Sequence, residues 1–304
     1  MEENQQTEKK SFKKSIAIFH DRNYKKLLLI PAIILLISFI YMGVFYSVNG
    51  DFINRDISLT GGTSVTIQEQ RDLEEVRVVL ETQLEDLSVR EIFDVITREQ
   101  KAIIIETTSG SEETRQVLEN YLGYTLNEQN SSFEFTGSSL SESFFRQLLI
   151  AILLAFIFMA IVVFIIFRTF VPSTAIIVSA FADIFMTLTL VNLLGMKMST
   201  AGIVAFLMLI GYSVDTDILL TNRVLKRHEG SLNEKLFSAF KTGITMTLTS
   251  LLAVLFALFV VRSFSAILTD IFTILAIGLG FDILNTWITN ASIIKWHVKK
   301  KHGE

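Results

Sequence analysis

The chain has no cysteine and only two prolines, Pro31 and Pro172, among its 304 residues. Without cysteine it has no disulfide, no thiolate metal site and no cysteine nucleophile. It also lacks the Gly-x-x-x-x-Gly-Lys loop that cradles nucleotide phosphates, so ATP chemistry is not predicted. The net charge of -4 lacks the positive excess typical of nucleic-acid binding. The sequence therefore gives no reason to expect a metal, a cofactor or a nucleic-acid partner.

Charged residues are also scarce in six stretches long enough to cross a bilayer, which takes about 20 apolar residues. They predict membrane helices at Leu27–Tyr46, Gln147–Phe167, Ser173–Leu194, Ala201–Thr221, Gly243–Val261 and Phe264–Ile294. The last span is longer than a bilayer requires, which predicts that it tilts or extends past the surface. The residues before the first span are polar and basic, and that span is too long for the apolar region of a cleavable signal peptide.

Lysine and arginine are unevenly distributed between the two sides of these spans. One side holds 17 of them, in the arm 1–26, at Arg168, between the fourth and fifth spans and in the tail 295–304. The short loops on the other side hold only Lys197 and Arg262. Because cytoplasmic loops are enriched in basic residues, both termini are predicted to be cytoplasmic and the large loop 47–146 extracellular. The chain is thus predicted to be a multi-pass protein of the cytoplasmic membrane.

The loop 47–146 carries 19 acidic and eight basic residues and is large enough to fold as a domain. Its hydrophobic periodicity alternates between strand-like and helix-like. The predicted elements are strand, helix, strand, strand, helix and strand at Thr63–Ile67, Leu73–Leu87, Ile92–Ile96, Ala102–Ile105, Val117–Tyr121 and Ser132–Phe135, with Arg98–Lys101 as a turn. This order is that of a ferredoxin-like α+β domain. The remaining spans are predicted to form a five-helix bundle at 147–294.

Four carboxylates are predicted at membrane depth, namely Asp183, Asp215, Asp217 and Asp282, and Asp270 lies nearer the outer end of the sixth span. An ionised aspartate at the bilayer centre costs about 2.5–3.5 kcal/mol on insertion scales. Such residues are therefore expected to face the bundle interior and to take part in function. The alternative is a purely structural role as interhelical hydrogen-bond partners, worth about 0.6 kcal/mol each. No lysine or arginine lies deep in these spans, so the acids are expected to be neutral, to exchange protons, or to meet a cation of a partner subunit.

Helix geometry places Asp215 and Asp217 about 200° apart around the fourth span, with Thr216 between them. The arc centred on Thr216 is predicted to point inward with one aspartate on each flank. The opposite arc is predicted to face lipid and consists of Leu207, Ile210, Val214 and Ile218. Two further polar stripes are predicted, one in the sixth span and one in the fifth: Asp282, Asn285, Thr286 and Thr289, and then Thr245 and Thr249.

Three motifs stand out in the chain. Leu59-Thr60-Gly61-Gly62-Thr63 follows the first span, and its glycines are expected to adopt positive φ and to begin a strand without a Cβ clash. The fourth span contains Gly211-Tyr212-Ser213-Val214-Asp215-Thr216-Asp217, followed by Arg223, and the fifth contains Thr247-Leu248-Thr249-Ser250-Leu251-Leu252. Together with six spans and one large first loop, these motifs resemble the SecD/SecF family, and within it the archaeal form of SecF. The resemblance covers nearly the whole chain.

The chain departs from the bacterial pattern of that family at two places. In the D-F-T-G-G-T motif, Ser58 and Leu59 occupy the Asp and Phe positions. In the G-Y-S-x-N-D-T motif the acidic position falls on Thr216, with Asp215 and Asp217 on either side. The bacterial proton site is therefore not transferred directly to one residue of this chain.

The resemblance implies a core like that of resistance–nodulation–division (RND) transporters and a SecD-like partner subunit. It also implies assistance to the export of unfolded polypeptides through a SecYE-type channel, aided by the proton-motive force, with contacts to membrane lipid and no enzymatic activity. The residues singled out for proton relay are Asp215, Asp217, Thr216, Asp183 and Asp282. The motif residues are Gly61, Gly62, Thr63, Gly211, Tyr212, Ser213 and Arg223.

Three other functions are compatible with parts of the sequence. Gly278-Leu279-Gly280-Phe281-Asp282 is similar to the G-x-G-D motif of intramembrane aspartyl proteases, but it is one residue too long and no Tyr-Asp pair accompanies it. A small-molecule exporter of the RND type usually carries two copies of the six-helix unit, and this chain carries one. A passive scaffold that only stabilises the partner would differ from a transducer in lacking proton dependence.

Overall fold

The computed structural model describes residues 23–94, 97–226, 230–263 and 265–302. Most of the predicted N-terminal arm 1–26 lies outside these residues. The end of the predicted strand Ile92–Ile96 and Phe264, the predicted start of the sixth span, also lie outside them.

The described chain consists of six long helices and one small four-stranded sheet. From the N-terminus the elements are α1 (Leu29–Asn49), α2 (Ile57–Thr60), β1 (Gly62–Ile67), α3 (Leu73–Leu80), β2 (Ser88–Phe93), β3 (Gln100–Thr107), α4 (Ser111–Leu122) and β4 (Ser131–Thr136). They are followed by α5 (Ser138–Phe167), α6 (Phe170–Leu193), α7 (Thr200–Lys226), α8 (Leu232–Val261), α9 (Ala266–Leu284), a π-helical turn (Asn285–Asn290) and α10 (Ala291–His302).

The six long helices are apolar and long enough to cross a membrane, which makes the chain a multi-pass membrane protein. The six are α1, α5, α6, α7, α8 and α9. The last of them continues through the π-helical turn into α10. α6 and α7 lie at the centre, with about half of their apolar stretches buried, whereas α5 and α8 bury little. The outer faces of α5 and α8 are therefore left for lipid or for another subunit.

Several helices extend beyond the apolar stretches that the sequence marks. α5 begins at Ser138 rather than Gln147, and its extra turns carry the exposed ion pair of Glu142 and Arg146. α8 begins at Leu232 rather than Gly243, because Ser231 and Glu234 form a reciprocal capping box at its start. Hydropathy locates the part of a helix that lies in apolar surroundings, whereas the cap sets its actual end.

The four strands pair entirely antiparallel in the order β2-β3-β1-β4. We call residues 54–136 the sheet domain. Its inward side chains, which include Val65, Ile105, Leu80 and Leu118, form one apolar core between the sheet and the helices α3 and α4. The elements follow one another in the order that the sequence patterns predict.

Several boundaries within the sheet domain were predicted wrongly. The helix α3 ends at Leu80, so Leu84 and Leu87 pack against the core from the following turn rather than from the helix. The strand β2 spans Ser88–Phe93, and it ends where the Asp94 side chain accepts a hydrogen bond from the Thr97 N–H and begins a turn. The strand β3 already starts at Gln100, inside the stretch predicted as a turn.

The sheet domain is attached to the bundle at the connection between α6 and α7. The Met198 N–H donates to the Asn54 carbonyl over 2.6 Å, and the Asp56 N–H donates to the Met198 carbonyl over 2.9 Å. Lys197 Nζ lies 3.0 Å from Asp86 Oδ1, which adds an ion pair to these backbone bonds. The domain therefore has a defined position on one end of the bundle.

Candidate functional site

Three carboxylates lie buried between the central helices, one each on α6, α7 and α9. Asp183, Asp217 and Asp282 are each at most 1% exposed. None of them forms an ion pair with a lysine or arginine of the described residues. The structure thus brings together three of the predicted site residues and surrounds them with hydroxyl and amide groups.

Asp183 is held by one amide and one hydroxyl. Asn285 Nδ2 donates to Asp183 Oδ1 over 2.7 Å, and the Ser213 hydroxyl donates to Asp183 Oδ2. An amide N–H can only donate, so Oδ1 is fixed as an acceptor. A hydroxyl can donate or accept, so Oδ2 is the oxygen at which a proton could be held without loss of its hydrogen bond.

Asp217 is held on one oxygen only. Its Oδ1 accepts from Asn290 Nδ2 over 2.7 Å and from the Ser179 hydroxyl over 3.3 Å. Its Oδ2 is buried without a hydrogen-bond partner among the described residues. A buried polar atom without a partner is costly, and it indicates a place where a proton or a water molecule would bind.

Asp282 is surrounded by threonine hydroxyls. Thr216 Oγ1 lies within 3.2 Å of both carboxylate oxygens, Thr286 Oγ1 lies 3.1 Å from Oδ1, and Thr247 Oγ1 lies 3.5 Å from Oδ2. Each hydroxyl can donate to an anion or accept from a neutral carboxyl. Asp282 can therefore gain or lose a proton while its partners reorient in place.

A π-helical turn supplies the two asparagines of this network. The turn spans Asn285–Asn290 and widens the helix between α9 and α10. Asn285 reaches Asp183 at its start and Asn290 reaches Asp217 at its end. Such turns occur frequently at functional sites, because they alter the direction of the side chains that follow. The sequence predicts the stripe of Asp282, Asn285, Thr286 and Thr289, and all four are buried, but it does not predict the π-helical turn or the part played by Asn290.

The motif on α7 divides between two faces of the helix. Ser213, Thr216 and Asp217 face the buried carboxylates, whereas Tyr212 and Asp215 are exposed. The prediction that Asp215 flanks an inward arc is therefore wrong for the isolated chain.

The prediction of which arc of α7 faces lipid is also wrong. Ile210 and Val214 are buried, with Val214 packed in one cluster with Val163 and Phe167 of α5. The exposed line of α7 instead runs through Val204, Met208, Gly211, Tyr212 and Asp215. The helix is rotated because it packs against α5 as well as against α6 and α9.

The stripe predicted on the fifth span also lies elsewhere. Thr245 and Thr249 are exposed and donate to backbone carbonyls of their own helix. Thr247, between them, is the buried threonine that reaches Asp282. Arg223 lies at the end of α7, where its Nη1 donates to the Ser238 carbonyl over 2.7 Å and joins α7 to α8.

The Gly61–Gly62 pair fills a tight position before β1. Gly61 has φ of 83°, and a Cβ there would lie 2.4 Å from Ser138 Cα. Gly62 has φ of 146°, and a Cβ there would lie 2.3 Å from the Thr107 carbonyl oxygen. The Thr63 hydroxyl donates to the Ser109 carbonyl over 2.9 Å. Both glycines therefore meet the predicted requirement for positive φ and absence of a Cβ.

Comparison with known proteins places the chain in a family. Residues 117–300 match the model of the C-terminal domain of the protein export membrane proteins SecD/SecF. The protein-export membrane protein SecF of Methanocaldococcus jannaschii is 39% identical over 284 residues, which cover 91% of this chain and 96% of that protein. The protein of the same name from Pyrococcus furiosus is 33% identical over 300 residues, covering 96% and 97% of the two chains.

A solved structure shows the same fold. The crystal structure of SecDF, a translocon-associated membrane protein from Thermus thermophilus, superposes with a TM-score of 0.70 at 19% identity. The match covers 91% of this chain but only 38% of that one. The fold, the family model and the relatives agree: the chain belongs to the SecD/SecF family of protein-export membrane proteins.

Proposed function

We propose that this chain is the SecF subunit of a two-subunit accessory complex, which uses the proton-motive force to assist export of unfolded polypeptides through a SecYE-type channel. A role in protein export follows from the family. The partnership and the energy source are the proposal, and a single observation carries them. The two aspartates of α7 point in opposite directions: Asp217 is buried in a polar network, and Asp215 is exposed on an apolar face.

The exposed face of α7 supports a partner within the membrane. An aspartate that faces lipid at this depth is costly, whereas one that faces another protein can be paired or hydrogen-bonded. The residues around it, Val204, Met208, Gly211 and Tyr212, are apolar or small and allow close helix packing. The SecDF chain with the same fold is more than twice as long as the matched part. A larger SecD-like subunit is therefore the proposed occupant of this face.

The buried network supports proton coupling. In each of its three carboxylates, at least one oxygen either contacts a hydroxyl group or has no hydrogen-bond partner among the described residues. In both situations that oxygen can carry a proton. A neutral carboxyl is far cheaper at membrane depth than an anion. A change in protonation would therefore change which helix packing is favoured, without chemical catalysis by the chain.

The position of the sheet domain supports a role on the side that receives the exported chain. We propose that it is a ferredoxin-like, extracytoplasmic domain, and its strand order β2-β3-β1-β4 with the helices α3 and α4 supports this. The opposite end of the bundle carries Arg223, Lys226 and the basic helix α10, which supports cytoplasmic termini and contact with anionic lipid. In this orientation the sheet domain, within 47–146, is free to contact an emerging polypeptide.

Isolation of the tagged protein from its own membrane tests the partnership. A SecD-like subunit, identified by mass, is expected to co-purify with the wild-type chain. Asp215→Lys is expected to abolish co-purification, because it places a positive charge in the contact between the subunits. Asp217→Asn is expected to keep the partner bound. A monodisperse chain that supports export without any such partner would contradict the proposal.

A further inference from the structure

One arginine of the sheet domain is surrounded by three carboxylates at the junction with the bundle. Arg90 of β2 lies 2.5 Å from Glu106 Oε2, 3.6 Å from Asp270 Oδ2 and 4.0 Å from Asp56 Oδ2. Glu106 and Asp56 are buried, and the Arg90 side chain is 30% exposed. The cluster carries one positive charge against three acidic groups, so the guanidinium is what holds them together.

Of these three contacts, only the one with Asp270 joins the sheet domain to the helix α9 of the bundle. Glu106 lies on β3 beside Arg90, and Asp56 caps the short helix α2. Asp270 lies one turn into α9. The distance of 3.6 Å between Arg90 and Asp270 is that of an ion pair and is longer than a normal hydrogen bond. The two side chains therefore attract each other without being held in one geometry. The adjoining Phe93 N–H donates to the Ser263 carbonyl over 3.1 Å, so β2 lies next to the segment that leads into α9.

The same helix reaches the buried carboxylates. Asp282 follows Asp270 by twelve residues within α9, which is about 18 Å along a helix that rises 1.5 Å per residue. The π-helical turn comes directly after it and holds Asp183 and Asp217 through its asparagines. A continuous helix is stiff over this length. A shift or rotation of α9 caused at Asp282 therefore reaches Asp270 with little loss.

We propose that Arg90 is a positioning residue: through its ion pair with Asp270, movement of α9 at the buried carboxylates is passed to the sheet domain. The inference rests on the proposed proton coupling for its purpose, but the joint itself is a structural claim. The connection 47–62, which also joins the bundle to the sheet domain, is a poorer candidate for transmitting this movement. There the Gly61–Gly62 pair is packed against Ser138 and Thr107, which leaves it little freedom to act as a hinge.

The joint can be tested by distance measurement in the cysteine-free chain. Two cysteines for spin labels are placed at Glu128, exposed in the sheet domain, and at Gly280, where α9 has open space beside it. Asp270→Asn is expected to broaden the distribution of label distances, and Asp270→Glu is expected to restore the wild-type width. Asp86→Asn is the matched control, because it breaks the other ion pair to the bundle, with Lys197, which is not on α9. An unchanged distribution in Asp270→Asn would overturn the joint, whatever the chain does in export.

The role of the joint in coupling is then tested with both subunits in vesicles. In Asp270→Asn the stimulation of export by a proton gradient is expected to be lost, and in Asp270→Glu and Asp86→Asn to be retained. Full stimulation in Asp270→Asn, with a broadened distance distribution, would show that movement does not pass through this contact. Absence of stimulation in the wild-type complex would count against the proposed function instead, and the distance result would still decide the joint.

Discussion

A single methyl group at Gly243 is expected to disturb the turn that supplies the two asparagines. Gly243 of α8 faces the ring of Trp287, in the middle of the π-helical turn, and a Cβ there would lie 2.4 Å from Cζ2 and 2.8 Å from Cη2. The ring has little room to retreat, because Phe240 contacts it edge-on at a centroid distance of 5.1 Å and it is only 8% exposed. Overpacking of this kind costs about 1–3 kcal/mol.

The same substitution elsewhere in the bundle isolates that cost. Gly280→Ala on α9 adds a methyl group where nothing lies within 4 Å. Both variants gain the same helix propensity, up to about 1 kcal/mol, so it cancels between them. Gly243→Ala is therefore expected to be less stable than Gly280→Ala by about 1–3 kcal/mol in the free energy of unfolding, measured by denaturant titration in one detergent.

A second substitution shows whether the indole is the cause. Trp287→Phe removes the ring atoms that the new methyl group would meet, so Gly243→Ala should cost less in that background than in the wild type. A coupling energy of about 0.5–3 kcal/mol is expected for residues in direct contact. Equal stability of the two glycine variants, or simple additivity in the double variant, would contradict a clash between the new methyl group and the Trp287 ring.

Two further predictions concern the sheet domain. Burial, and then the charge of Glu106, raises the pKa of Asp56 above its ordinary value of 3.8, while Arg90 acts in the opposite direction. The folded form is therefore stabilised when the Asp56 carboxyl is neutral. This stabilisation is fully present below pH 3.8 and is lost as the pH rises through the raised pKa. Asp56→Asn, which keeps the capping oxygen, should remove that part of the pH dependence of unfolding, and an unaltered dependence would refute it. The excised segment 47–146 should give a folded circular dichroism spectrum, and Leu118→Ala should destabilise it by about 2–5 kcal/mol while the exposed Val78→Ala leaves it unchanged. A disordered spectrum of the excised segment would contradict the assignment of an independent domain.

Much of the architecture could be predicted from one-dimensional signals. Six apolar stretches determine six membrane helices, and alternating periodicities determine the order of strands and helices between the first two. The glycine pair could be interpreted because positive φ and absent Cβ are properties of the residue itself. The boundary errors, such as the late placement of β2, arose where a turn depends on one side chain, here Asp94, accepting a backbone hydrogen bond.

The arrangement of the site depended on contacts that sequence spacing does not contain. Spacing alone determines that Asp215 and Asp217 point apart, but the rotation of α7 depends on which helices pack around it. Val214 was predicted to face lipid and instead packs against α5. The π-helical turn leaves no mark in composition. The pair of asparagines five residues apart, Asn285 and Asn290, is the signal that could have indicated it, because one wide turn separates them.

Export measured with and without a proton gradient shows whether the buried carboxylates couple proton flow to export. Vesicles that contain both subunits and a channel are prepared with the wild-type chain and with Asp217→Asn, a change that keeps the size of the side chain and removes proton exchange. At equal abundance and equal partner binding, the gradient is expected to stimulate export by the wild type and to have no effect on the variant, while the gradient-independent rate is the same for both. Full stimulation of the Asp217→Asn variant would contradict a transducing role for the buried carboxylates.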